Sequence, residues 1–168
     1  MNKYLFLFFI PFSLSLVKGY YWTQKANFLG TGLSFPFSFA IGNNGYVGCG
    51  WDSIQNYQNT FWEYNSLTNV WTQKANFGGV ARVGAVGFSI GNRGYAGIGT
   101  TLSNHLQDFW EYNPATNNWV QKANFVGGLR SVAVGFSIGS MGYVATGETN
   151  MTIATNDIWQ YNPTTDSW

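Results

Sequence analysis

Charge is what this sequence has least of. Only 9% of its residues are Asp, Glu, Lys or Arg, against roughly 25% in an average soluble chain. Eight basic and seven acidic residues leave a net charge of +1, so no basic face is expected and nucleic acid is excluded as a partner. Cysteine and histidine are nearly missing, with one each, Cys49 and His105. A lone cysteine cannot form an intramolecular disulfide, and a lone histidine with no ligand cluster around it implies neither metal nor cofactor. The residues that favour helices give way to 21 Gly and to aromatics at 19%, which argues against a helical bundle. So many aromatics at so low a net charge also exclude a disordered chain. An all-β chain with many tight turns remains.

The chain opens on Lys3 and an uncharged run from Tyr4 to Val17. That run is short for a membrane span, which takes roughly 20 apolar residues. A basic start, a short apolar stretch and a polar segment after it read as a secretory signal over residues 1–19, cleaved near Lys18-Gly19. The competing reading is a buried N-terminal element. Losing Lys3 and Lys18 leaves six basic residues against seven acidic ones. The mature chain is then expected outside the cytoplasm, secreted, at the cell surface or periplasmic, with no membrane span. No Cys follows the apolar run as it would in an exported lipoprotein. A secreted domain without disulfides must be held by packing and hydrogen bonds, which favours a bacterial export route. Asn150-Met151-Thr152 fits a glycosylation triplet, a pattern that often arises by chance.

The strongest feature is repetition. Trp22-Thr23-Gln24-Lys25-Ala26-Asn27-Phe28 returns at Trp71–Phe77 and at Trp119–Phe125, and Trp168 begins it again, at spacings of 49, 48 and 49 residues. Phe61-Trp62-Glu63-Tyr64-Asn65 matches Phe109–Asn113 and Ile158–Asn162, and Ile41–Gly48 matches Ile90–Gly97 and Ile138–Val144. Within a unit, Val86, Phe88 and Ile90 alternate with Gly87 and Ser89, the period of a strand. Gly91-Asn92-Arg93-Gly94 predicts a tight turn, Tyr95–Gly99 a second strand, Phe109–Asn113 a third and Asn118–Lys122 a fourth. Four antiparallel strands repeating at about 50 residues predict a propeller blade. Eleven strands in three sheets are expected, after a lone strand near Trp22. Phe88, Ile90, Trp110 and Tyr112 are expected to be mostly buried, and Trp62, Trp110 and Trp159 to pack between blades.

These units resemble the kelch-repeat family, in exported bacterial form. Tyr64 and Trp71, Tyr112 and Trp119, and Tyr161 and Trp168 keep the family's separation of six intervening residues. The paired glycines of that family are replaced by Gly48-Cys49-Gly50 and Gly97-Ile98-Gly99. The resemblance spans residues 20–168 and implies a lone outer strand over 20–28, blades over 29–77 and 78–125, and an incomplete blade over 126–168. Three units do not close a ring. The chain is therefore expected to be a fragment of a six- or seven-bladed propeller; the alternative is a two-fold dimer making six blades.

Galactose oxidase belongs to the same superfamily, but its copper needs two histidines and a cross-linked cysteine, which this sequence does not offer. Cys49 aligns with Ile98 and Thr146 and reads as a packing residue, and His105 as a solvated loop histidine. Sialic-acid mutarotases also resemble kelch propellers; Glu148, Asp52 and Arg82 are the residues such chemistry would draw on, with nothing in the sequence tying them together. An enzyme acting on carbohydrate is thus the alternative function. The leading one is an exported binding module. All length variation between units falls in the second connections, Trp51–Thr60, Thr100–Asp108 and Glu148–Asp157, of ten, nine and ten residues. Variable loops on a rigid scaffold carry binding. The expected contact residues are Trp51, Asp52, Tyr57, Arg82, His105, Arg130 and Glu148, facing a protein or a glycan. Arg82 and Arg130 would ring a central channel, or else tie neighbouring loops together.

Overall fold

The computed structural model describes residues 21–149 and 153–168. The signal read at residues 1–19 lies outside that range, as does the glycosylation triplet at 150–152. The described residues are all-β, with no helix.

The first unit forms a four-stranded antiparallel sheet of β1 (Phe37–Ile41), β2 (Asn44–Gly48), β3 (Phe61–Asn65) and β4 (Val70–Gln73), in sequence order. The second repeats it with β5 (Val86–Ile90), β6 (Arg93–Gly97), β7 (Phe109–Asn113) and β8 (Asn118–Lys122). A small ribbon of β11 (Glu148–Thr149) and β12 (Ile153–Ala154) lies inside the third unit's second connection. The third sheet itself contains β9 (Val134–Ile138), β10 (Met141–Ala145) and β13 (Ile158–Tyr161), so eleven strands make up the three sheets, as expected.

The turns follow from residues that tolerate positive φ. The first hairpin of each unit turns on two residues beginning with Gly42, Gly91 or Gly139, at φ 57, 56 and 58°, tighter than the four-residue turn read from the sequence. Because Ile90 pairs with Arg93, the second strand runs Arg93–Gly97 rather than Tyr95–Gly99. Beyond it the chain leaves the sheet through Ile98 (φ 51°) and Gly99 (φ 97°). Cys49 and Thr146 repeat that conformation at φ 60° each. A left-handed β-branched residue is unusual, and here the conformation recurs wherever the second strand hands over to the second connection.

β1 lies against β5, and β5 against β9. Small residues permit this approach: a Cβ on Gly87 would come within 2.7 Å of the Ser38 carbonyl. The first seam buries Phe37, Phe39, Phe61 and Phe77 against Tyr112 and Trp119. The second buries Val86, Phe88, Phe109 and Phe125 against Val144 and Tyr161, with Trp168 packed beside them. Each such side chain contributes about 1.5–3 kcal/mol by leaving water, which is how the chain holds together without disulfides.

Phe88 and Tyr112 are buried, and Ile90 and Trp110 are partly buried against the same two cores. Trp62, Trp110 and Trp159 sit at the rim of the packing, edge-on to Phe28, Phe77 and Phe125 of the preceding segment. One expectation is corrected. The stretch Trp22–Phe28 forms no strand, since no strand among the described residues pairs with it, and Trp22 is fully exposed. It docks on the first sheet instead. Ala26 N donates to Asn69 Oδ1 (2.9 Å), and Trp71 Nε1 donates to Ala26 O (3.1 Å). The same two bonds recur as Ala123 N to Asp166 Oδ1 (2.9 Å) and Trp168 Nε1 to Ala123 O (3.1 Å).

Candidate functional site

The second connections of all three sheets gather at one end, where they pair with the segments linking sheet to sheet. Ser34 bridges Trp51, Val83 bridges Thr100, and Ser131 bridges Glu148. Gly50 N donates to Arg82 O (2.8 Å), and Gly99 N to Arg130 O (2.7 Å), so each connection is fastened to the start of the following unit. The variable loops thus stand on a hydrogen-bonded base.

On that base lies a cavity of about 290 Å³, whose walls include Phe35, Trp51, Tyr57, Thr100, Val132 and Glu148. Its aromatic side is continuous: Phe35 meets Trp51 edge-on at 5.6 Å, and Trp51 meets Tyr57 edge-on at 5.9 Å. Phe35 and Val132 both have positive φ, 55 and 48°. Their backbones join through Gly84, which donates to Phe35 O (3.1 Å) and accepts from Val132 N (2.8 Å). Three residues expected to bind, Trp51, Tyr57 and Glu148, therefore meet in one hollow. Glu148 is half-exposed there, with Ser131 Oγ 3.4 Å from Oε1. Aromatic faces beside one carboxylate and hydroxyl groups suit a ligand with both C–H and O–H or N–H surface.

The other expected contacts are placed differently. Asp52 is bound up in its own loop, accepting from Ile54 N (3.0 Å), Asn56 N (2.9 Å), Asn56 Nδ2 (3.2 Å) and Gln58 Nε2 (3.1 Å). Those bonds, the one from Asn56 N foremost, hold its carboxyl below the ordinary carboxylate range. His105 is buried, not a solvated loop residue, because its loop folds back to bridge Thr100. Its Nε2 has no partner among the described residues.

Arg82 and Arg130 do not open onto a channel. Arg82 is wholly buried; Nη1 and Nη2 donate to the two oxygens of Asp108 at 2.6 and 2.7 Å, and Nη1 also reaches Ile98 O at 3.0 Å. Its guanidinium lies 4.8 Å from the Phe77 ring centroid. Arg130 repeats this with Asp157 at 2.7 and 2.9 Å and Thr146 O at 2.7 Å. Each arginine caps the carbonyl of the left-handed residue in its own unit while its main chain accepts from the previous one, which is the loop-tying role. For Asp108, burial raises the carboxyl, but hydrogen bonds and charge from Arg82 outweigh it and the net shift is downward. For Asp157 the Arg130 hydrogen bonds dominate and hold it well below the carboxylate range.

Asp108 and Asp157 were not among the residues expected from sequence, although a signal was there. Units with Arg at the linker carry Asp before the third strand; the first unit has Leu33 and Thr60 at the two positions. Cys49 is wholly buried, and burial pushes its thiol up to about 12, an environment for packing rather than nucleophilic attack. Among the described residues no three His, Cys, Asp or Glu side chains gather to hold a metal ion. No protein-family model matches the chain, and no curated protein matches it.

Proposed function

We propose that this chain is a kelch-type β-propeller segment of an exported binding module, whose second-connection face takes a glycan or a protein partner. The kelch assignment is supported by three sheets that meet through their first strands, and by the Tyr–Trp pairs of the repeat. Tyr64–Trp71, Tyr112–Trp119 and Tyr161–Trp168 are in contact at 5.1, 5.0 and 5.0 Å between ring centroids. The observation that carries the binding reading is the hollow walled by Phe35, Trp51 and Tyr57, with Glu148 at its side. It lies where the units differ from one another, whereas the opposite ends of the sheets carry the same short turns in every unit. With so little charge on the chain, recognition there works by stacking and hydrogen bonding rather than by long-range steering.

The experiment is a glycan array probed with the chain and with Trp51→Ala, Tyr57→Ala, Asn92→Ala and Thr116→Ala. The expected result is binding to one saccharide class that is lost in the first two variants and kept in the last two. Equal loss on both faces, or loss only at Asn92 and Thr116, overturns the assignment of the face. If no saccharide binds, the same variants are compared for partner capture in crosslinking to extracellular protein fractions.

A further inference from the structure

The loop-face hollow owes its shape to the middle unit. The bridges Ser34 to Trp51, Val83 to Thr100 and Ser131 to Glu148 make Trp51, Thr100 and Glu148 equivalent positions. Phe35, Gly84 and Val132 follow the first partner of each bridge, and all three have positive φ, at 55, 62 and 48°. The first unit thus fills its two places with Phe35 and Trp51, and the third with Val132 and Glu148. The middle unit has only Gly84 and Thr100, which leave open the space that larger side chains hold on either side. The hollow is therefore walled by three consecutive units, aromatic on one flank and acidic on the other.

The carboxylate on that flank differs from every other in the chain. Of the seven acidic residues, five pair with Lys or Arg, and Asp52 accepts four N–H bonds within its own loop. Among the described residues Glu148 has no basic partner and no N–H donor to its side chain, only Ser131 Oγ at 3.4 Å. We propose that the hollow takes a methylated ammonium group, such as choline or trimethyllysine carries, seated between the rings and the Glu148 carboxylate. A cation is attracted to an aromatic face within about 6 Å of its centroid. Phe35, Trp51 and Tyr57 meet in sequence at 89 and 83°, so their corners receive a compact round group from more than one direction. Val83 and Val132 add apolar surface suited to N-methyl groups. A bare sugar ring would need more hydrogen-bonding partners than are free, since Thr100 Oγ1 is engaged by the Thr101 and Asn104 carbonyls at 2.8 and 3.1 Å. The volume of about 290 Å³ stands at the lower end of the roughly 300–1,000 Å³ of small-molecule sites, enough for a head group. No Lys or Arg lines the hollow, and Arg82 and Arg130 are held by Asp108 and Asp157. A phosphate or carboxylate next to the ammonium would find no counter-charge there.

This ligand class rests on the loop face being the binding face, and the two are tested apart. Choline is titrated into the full chain and followed by its N-methyl proton resonance, which an aromatic face moves upfield. The control is its neutral carbon isostere, with a tert-butyl group in place of trimethylammonium. Choline is expected to bind about tenfold more tightly than the isostere, and phosphocholine more weakly than choline. Glu148→Gln keeps the shape and removes the charge; it is expected to weaken choline by about tenfold and to leave the isostere unchanged. Trp51→Leu keeps apolar volume and removes the ring, with a similar loss for choline. Asn92→Ala is expected to bind as the parent does. Should Trp51→Leu lose its near-ultraviolet circular dichroism, Tyr57→Leu removes the adjoining ring instead. A trimethyllysine peptide that binds more tightly than choline assigns the group to a protein partner, and one that binds no better assigns it to a small molecule. Choline that does not bind, that binds no better than the isostere, or that is undiminished by Glu148→Gln overturns the ammonium class; saccharide binding that still depends on Trp51 would leave the face standing. Choline binding lost equally in Asn92→Ala would overturn the face as well.

Discussion

Arg82 and Asp108 face each other through both terminal guanidinium nitrogens and both carboxylate oxygens, at 2.6 and 2.7 Å, with the arginine wholly buried. A charge in that position is tolerable only with its partner. Asp108→Leu is therefore expected to destabilise the fold by about 3–5 kcal/mol, the cost of leaving a buried charge unpaired. Replacing both, as Arg82→Met with Asp108→Leu, is expected to recover much of that loss. Urea unfolding of the two single variants and the double gives the coupling; additive losses would mean the pair is not a unit.

The pairs also set a direction for pH. The folded carboxyls of Asp108 and Asp157 titrate below their unfolded value, Asp157 because Arg130 hydrogen-bonds it and Asp108 because Arg82 outweighs the effect of burial. Groups lowered on folding stabilise fully above the unfolded pKa, about 3.9 for aspartate. That stabilisation is lost as pH falls from there towards the folded values. Thermal melts at stepped pH are expected to be flat from neutrality to about pH 5 and to fall below about pH 4. Asp157→Asn should shrink that fall. An equally steep acid limb in the variant would assign it to other groups.

The rim tryptophans differ in what their indoles meet. Trp110 Nε1 donates to Asp108 Oδ2 at 2.7 Å and Trp159 Nε1 to Asp157 Oδ2 at 2.6 Å. Trp62 Nε1 is buried without a partner among the described residues, because Thr60 stands where the other units have aspartate. Trp110→Phe is expected to cost about 1.5–3 kcal/mol, the range for a hydrogen bond to a charged group. Trp62→Phe loses no such bond and is expected to cost distinctly less. Equal shifts in unfolding midpoint would show that indole packing, not the hydrogen bond, holds these positions.

Much of this architecture was legible in the repeat. The alternation Val86-Gly87-Phe88-Ser89-Ile90 is a strand whichever fold surrounds it, and Gly91-Asn92 has few uses other than a tight turn. What the sequence could not separate was a segment with strand chemistry from one with a strand partner. Trp22–Phe28 and Trp71–Phe77 share six identical side chains after the first tryptophan. Only the second begins in a ladder, beside β3. The loop face was legible as a place, through Trp51, Tyr57 and Glu148. Its arginines left two roles open, a channel ring or a tie between loops, because a single residue type was followed along the chain without its partner. Read together, Arg82 with Asp108 and Arg130 with Asp157 repeat at matching separations of 26 and 27 residues, which is a pattern of internal ties. His105 gave no such signal: its loop folds back onto Thr100 as Tyr57 folds back onto Trp51 and Ala154 onto Glu148, and the residue at that place differs in every unit.

The first unit offers the most direct test of those ties. Leu33 and Thr60 occupy the places of Arg82 with Asp108, and the neighbouring Trp62 indole has an idle donor. Thr60→Asp alone would place a carboxylate beside the indole without a counter-charge, and Leu33→Arg alone would bring a guanidinium against the Phe28 side of the first sheet without an acceptor. Each single change is expected to be destabilising. Together they recreate a tie already made twice in the same chain, with Cys49 O standing where Ile98 O and Thr146 O receive the arginine. The double variant is expected to be more stable than the sum of its singles by about 0.5–3 kcal/mol, read from urea midpoints at neutral pH. Trp62→Phe in that background should now cost as much as Trp110→Phe does in the parent. Additive singles would mean that the backbone of the first unit does not present these positions as the other two do, and the equivalence of the three units would fail there.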